Sequence, residues 1–365
     1  GKSQPGLFIE KRMCQAHTPP AKKASVLSQL TCVSLLVGVC AVWSYYTFVP
    51  SYPPHTPLHS WKVPAVLTAA YLVSLPLLKR VQIQDAKGVL MPSMILYNVG
   101  QVLLNLWTVV YIVRSLAAGH PLVGDTQSTM CSYAVWVHYC DKYLEFLDTY
   151  FMVLRGRLDQ VSFLHLYHHT TIAWAWWAGV KLYAEGDSYF GALLNSWIHV
   201  MMYSYYALTL CGIKCPWKKH LTRAQLAQFA SVMVYTAACF WANYRKGQLE
   251  AGHVAAMLIQ VGEMASLFFL FSQFYKKSYG KKKKGEEKVD DTMYKDECNV
   301  AIGEGSSKEL YADECQAAVR SFVTSPAQVL TAAATGGRDG LKLRSGKPKG
   351  PIEKAVKTNS WSMVG

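Results

Sequence analysis

The chain is expected to be an all-α polytopic membrane protein, and three observations predict it. Of its 365 residues, 51% are hydrophobic and only 16% are charged, against about a quarter charged in soluble domains. Apolar runs close to the roughly 20 residues that a spanning helix needs recur along its length. The Lys and Arg residues behind the formal net charge of +14 cluster between those runs and in the tails. That distribution fits basic cytosolic loops rather than a nucleic-acid surface, so no nucleic-acid partner is expected.

Residues 1–56 form a basic segment with an extra hydrophobic stretch at 25–49. It is long enough to span a bilayer, and an additional membrane helix and the core of a targeting sequence explain it equally well. After a Pro-rich link come seven further apolar segments, near residues 63–78, 89–116, 133–154, 163–180, 189–210, 226–244 and 254–275. The loops between them alternate in charge, which by the positive-inside rule puts the first, third, fifth and last in the cytosol, with Arg245 and Lys246 as the discordant pair. Residues 280–365 are polar and low in aromatics and open on a lysine block at 281–284, the composition of a disordered cytosolic tail. The ten cysteines have no metal-ligand spacing and lie partly within apolar runs, so neither a disulfide framework nor a metal site is expected.

Candidate chemistry lies in polar residues that intrude on membrane segments. His165, His168 and His169, in FLHLYHHTT, share one helix face at i, i+3 and i+4. Polar rings in lipid are costly unless they face an interior cavity, although a polar pocket that only joins helices is the plainer alternative. KYLEFLDTY sets Lys142, Glu145, Asp148 and Thr149 at helical spacing, where a structural ion pair and a catalytic group explain the charges equally well. NSWIHVMMYSYY places Asn195, His199 and Tyr203 on one face, and LTRAQLAQF does the same for Gln225 and Gln228 at the start of a helix. At about 1.5 Å of rise per residue all four motifs fall within roughly 15 Å of the cytosolic end of their helices, so they can converge there.

Two kinds of chemistry suit such a cluster. A di-iron desaturase or hydroxylase would need several histidine boxes, whereas this chain has one and its other histidines are isolated. Without a metal, an imidazole serves as nucleophile and as proton carrier near neutral pH, which points to acyl transfer. GxGxxG, Walker and GxSxG fingerprints are absent, so nucleotide redox and serine-hydrolase chemistry lack their usual support.

KYLEFLDT, HLYHH, HVMMY and TRAQLAQF, in this order, resemble the K-x-x-E-x-x-D-T, H-x-x-H-H, H-x-x-M-Y and T-x-x-Q-x-x-Q motifs of the ELO family of very-long-chain fatty acid elongases. The resemblance covers residues 57–279; Gln160, Leu166 and Tyr167 before and within the box are similar to its polyunsaturated-acyl branch, and GDSYFGALLNSWIHV and SLFFLFSQFYKKSY resemble its microalgal members. It implies seven membrane helices, six of them around an acyl tunnel, in the endoplasmic reticulum. The implied reaction condenses acyl-CoA with malonyl-CoA to 3-ketoacyl-CoA, CO2 and CoA without a cofactor. A ketoacyl reductase, a dehydratase and an enoyl reductase would complete the cycle, and a homodimer is left open.

By the same resemblance, His168 would be the nucleophile, His199 would face it, and His165 and His169 would orient rings or move protons. Lys142, Glu145, Asp148, Gln225 and Gln228 would position the thioester and stabilise an enolate, with Thr149, Asn195 and Tyr203 binding substrate beside them. The CoA phosphates would lie among Arg155, Arg157, Lys214, Lys218, Lys219 and Arg223, and the apolar ends around Trp174, Trp177 and Phe240 would close the tunnel.

Overall fold

In the computed structural model, which describes residues 24–48, 57–81, 83 and 85–279, the regular elements are all helical. They are α1 (Val26–Phe48), α2 (Lys62–Leu78), α3 (Ala86–Ala117), α4 (Ser132–Leu144), α5 (Phe146–Leu154), α6 (Phe163–Leu182), α7 (Tyr189–Leu210), α8 (Lys218–Lys246) and α9 (Ala251–Tyr279). Short 3-10 turns precede α2 and α7, at Pro57–His59 and Gly186–Ser188. The basic start, the first part of the Pro-rich link and the expected tail at 280–365 lie outside the described residues.

The protein is a polytopic membrane protein. Among the described helices α1, α3 and α9 are long and apolar enough to cross a membrane, and α2 is a shorter apolar helix of 17 residues. The sequence marks more segments than these three as spanning, and the difference falls on the helices that carry the polar motifs. Imidazoles, amides and carboxyls lower the apolarity of α4 to α8 because they face one another inside the bundle, where lipid does not reach them.

α4 is the central post, buried at every position from 134 to 142. In lipid, apolar burial does little to hold helices together, and packing with interhelical hydrogen bonds of roughly 0.6 kcal/mol each does more. α4 has many of them. Trp136 Nε1 donates to the Thr47 carbonyl at 3.1 Å and Trp43 Nε1 to the Cys140 carbonyl at 2.8 Å, which fastens α1 to it. Within the stretch at 25–49, Val26–Phe48 is therefore a helix built into the bundle. Gln101 and Asn105 on α3 donate to the two oxygens of Asp141 at 2.9 and 3.2 Å. His138 Nδ1 pairs with Ser196 Oγ on α7 at 2.9 Å.

At the end of the bundle away from the α6 N-terminus, the Asp187 carboxylate gathers two loops. It accepts from the backbone N–H groups of Gly124 and Asp125 at 2.9 and 3.1 Å, from Asn243 Nδ2 at 2.8 Å and from Tyr183 Oη at 3.1 Å. Gly186 holds φ at +56°, and a Cβ there would meet the Asp125 carbonyl oxygen at 1.9 Å, so only glycine permits the approach. Lys246 Nζ donates to the Gly124 carbonyl at 2.6 Å, which gives one member of the discordant basic pair a structural task.

Candidate active site

The site begins at a cap. Ser162 holds an extended backbone and its Oγ accepts from the His165 N–H at 3.2 Å, which starts α6 and fixes the three histidines in its first two turns. Their rings form one group, with centroids 4.4 Å apart for His165 and His169 and 5.4 Å for His168 and His169. His169 is buried at their centre, against Phe146 of α5. The Nδ1 atoms of His168 and His169 are buried and make no hydrogen bond.

The K-x-x-E-x-x-D-T residues lie on a helix that tightens at Glu145, where the Asp148 N–H bonds the Glu145 carbonyl in an i to i+3 turn between α4 and α5. Their side chains then divide between two neighbours. Lys142 pairs with Glu145 and donates to Asn195 Oδ1 at 3.2 Å, while His199 Nδ1 lies 3.0 Å from Glu145 Oε1, off the line of a hydrogen bond. Lys142 and Glu145 are each 1% exposed, so this is a fully buried ion pair that needs every partner it has. Asp148 accepts from Tyr203 Oη at 2.7 Å. Thr149 Oγ1 lies 2.8 Å from His165 Nε2, so this residue orients the histidine box.

Asp141, Glu145 and His199 present ligand atoms within 4.8 Å of one another, the spacing of a cation site. The two carboxylates are already engaged: the Lys142 ammonium serves Glu145, and the Gln101 and Asn105 amides serve both oxygens of Asp141. Nor do the other described histidines gather around the box. His120 bonds Ser128 and the Gly186 carbonyl, His138 bonds Ser196, and His253 accepts the Glu250 N–H. The histidine-rich ligand set of a di-iron oxygenase is thus not assembled among the described residues.

A cavity runs from this site between α4, α6, α7, α8 and α9. His168, Asn195 and Gln228 line one end, and Tyr183 and Ser188 line the other. Fifteen residues of α6 separate His168 from Tyr183, which is about 22 Å of helix. Gln225, by contrast, does not line it and is half-buried on α8. Trp174, Trp177 and Phe240, expected at its far end, do not line it either. Trp177 Nε1 turns to the His59 carbonyl at 3.4 Å and Phe240 is 40% exposed, whereas Trp176 supplies the tryptophan in the wall. A shift of one residue rotates a side chain by about 100° around a helix, which the sequence alone did not resolve.

The basic residues lie at the histidine end. Arg155 caps α5, and Arg157 is engaged in two hydrogen bonds with Asp159 that hold this carboxyl below its usual range. Lys218 opens α8 beneath the Tyr205 ring at 5.9 Å, and Arg223 Nε donates to Tyr275 Oη at 2.9 Å. Sequence reasoning missed Tyr71, Tyr97 and Asp141. Tyr71 Oη lies 2.7 Å from Thr149 Oγ1 and Tyr97 Oη lies 3.4 Å from Tyr203 Oη, so both brace site residues from behind.

Residues 56–287 match the model of the ELO (GNS1/SUR4) family. The chain is 37% identical over 209 residues to very long chain fatty acid elongase 4 of Mus musculus, covering 53% of this chain and 64% of the relative. It is 38% identical over 207 residues to the Homo sapiens protein of the same name, covering 52% and 63%. With very long chain fatty acid elongase 5 of Mus musculus it shares 36% over 200 residues, covering 51% and 64%. The matches thus span just under two thirds of these relatives.

Proposed function

The chain belongs to the ELO (GNS1/SUR4) family, and on that premise we propose that it condenses a polyunsaturated acyl-CoA with malonyl-CoA. The products are 3-ketoacyl-CoA, CO2 and free CoA, the first step of a two-carbon elongation. One observation carries the reading: a half-buried imidazole, His168, whose buried Nδ1 has no partner, lies at the wall of a largely apolar cavity that begins at the polar cluster.

In this reading the acyl chain lies in the cavity with its thioester carbonyl at His168. The imidazole attacks that carbon, the C–S bond breaks, and the imidazole proton leaves with the CoA thiol, giving an acyl-imidazole. Malonyl-CoA then loses CO2, its enolate carbon attacks the acyl carbon, the acyl C–N bond breaks, and the imidazole takes up one proton from water to return the histidine. Thr149 holds His165, and with His169 the pair fixes the orientation of the group. Lys142, Asn195, His199 and Gln228 supply donors toward the oxygen on which negative charge develops. Asp148 and Tyr203 brace the opposite side, and Gln225 lies nearer the entrance.

CoA phosphates are assigned to Arg155, Lys218 and their basic neighbours at the cytosolic face, with the acyl chain directed away from them. The reading extends to the endoplasmic reticulum, a cytosolic C-terminal tail at 280–365, no cofactor, and hand-over to a ketoacyl reductase, a dehydratase and an enoyl reductase. Purified protein given polyunsaturated acyl-CoA and radiolabelled malonyl-CoA is expected to form labelled ketoacyl product without iron, oxygen or NADPH. Acyl-CoA alone is expected to leave an acyl adduct on His168. Dependence on iron and oxygen, or no product at all, would overturn the reading.

A further inference from the structure

The cavity wall is apolar over much of its length but not where α9 faces α6. There Gln260 and Glu263, one turn apart on α9, both line the cavity. Thr171 Oγ1 lies 2.6 Å from Glu263 Oε1, which ties the carboxyl to α6 beside the histidine box. The Gln260 amide has no hydrogen-bond partner among the described residues. Its Nε2 would lie 3.1 Å from a Cβ at Gly191, so it stands in the space that this glycine leaves open opposite Trp176. An amide donor and a carboxyl oxygen facing an alkane would both go unanswered, and an unpaired polar group away from water is costly.

We infer that Gln260 and Glu263 form a recognition stripe for carbon–carbon double bonds near the thioester end of the acyl chain. This deepens the proposed elongase reading and rests on it. A double bond has an electron-rich face and an electron-poor edge, as an aromatic ring does. The Gln260 N–H can point at the face, and a Glu263 oxygen can accept the weakly acidic C–H bonds at the edge and at the neighbouring allylic carbons. A saturated chain offers neither partner.

Depth assigns the position of these bonds. Thr171 lies three residues beyond His168 and Trp176 eight, which is about 4.5 and 12 Å along α6. A staggered carbon chain with bonds of about 1.5 Å advances roughly 1.3 Å per carbon. The stripe therefore flanks roughly the fourth to the tenth carbon when the carbonyl is at His168.

The test offers the full-length wild type and the variants Gln260→Met, Glu263→Gln and their combination three C18 acyl-CoAs of equal length. One is saturated, one has cis bonds between the fourth and tenth carbons, and one has them only beyond the twelfth. Wild type is expected to favour the second. Each substitution should lower kcat/KM for it by roughly twofold to fivefold, the range of a weak hydrogen bond, and leave the other two substrates unchanged. Glu263→Gln keeps the link to Thr171, so it reports on recognition even if Gln260→Met disturbs folding. An equal fall for all three substrates, or no change in preference, would overturn the stripe while leaving the elongase reading in place. A wild type inactive on every acyl-CoA would remove both.

Discussion

Lys142 and Glu145 are the residues whose environment most narrows what can be changed. Each is buried beside the other, so Lys142→Met leaves a carboxylate without its cation, a loss of about 3–5 kcal/mol. A markedly lower thermal midpoint in detergent is the expected reading. The double variant Lys142→Met/Glu145→Leu should regain most of that stability and still form no product, because the apolar pair replaces the packing but not the donors. If the single variant melts with the wild type, the two side chains are not a buried pair in the folded protein. Thr149→Val makes a different cut. It removes the hydroxyl between Tyr71 and His165, and a ring that loses its orienting partner should lose roughly tenfold to a hundredfold in rate with little change in melting. The four motifs were legible because charged and imidazole side chains stand out in an apolar background. Tyr71 was not, since a tyrosine in an apolar run looks the same whether it anchors at a membrane surface or braces a threonine 78 positions away.

At the scale of elements, apolar periodicity found the helices and missed where two of them begin. Residues 133–154 read as one segment, yet α4 and α5 meet at Glu145 in a tight turn. Nothing local announces it, since the break follows from the ties that Glu145 and Asp148 make to α7. α8 starts at Lys218, eight residues before its apolar run. Its first turns carry Lys218, Lys219 and Arg223 where the helix dipole favours acidic residues, so the usual start signal is missing. The Asp187 loop cluster carries no local signature in the sequence. Asp187→Ala would strand two backbone N–H groups and the Asn243 amide, and about 2–4 kcal/mol of local stability should go with it. Faster amide exchange across residues 120–128, with the histidine end of α6 unchanged, is the measurement that checks this. Uniformly faster exchange throughout the bundle would mean that the latch supports the whole fold.

For the molecule as a whole, membership of a helical membrane family was legible from composition and four spaced motifs, while the course of the cavity was not. Which tryptophan of AWAWWAG faces inward depends on how α6 is rotated against α4 and α9, and only tertiary packing sets that angle. On the proposed reading, the same packing would separate two functions along one axis, with basic residues at the histidine end and Tyr183 lining the cavity about 22 Å away. Tyr183 is a floor rather than a hinge because its Oη is held by the Asp125 carbonyl at 2.9 Å as well as by Asp187. Binding of the charged handle and choice of chain length should therefore vary independently. Arg155→Glu and Lys218→Glu are expected to raise KM for malonyl-CoA severalfold through lost attraction to phosphate, with the product lengths unmoved. Tyr183→Ala should do the reverse, extending the products by about two to four carbons as the floor recedes by a ring, and Tyr183→Phe should keep the original profile because the ring remains. The readouts are KM for malonyl-CoA and the product lengths, and a change of product length in the charge variants without a change in KM would invert the orientation assigned to the substrate.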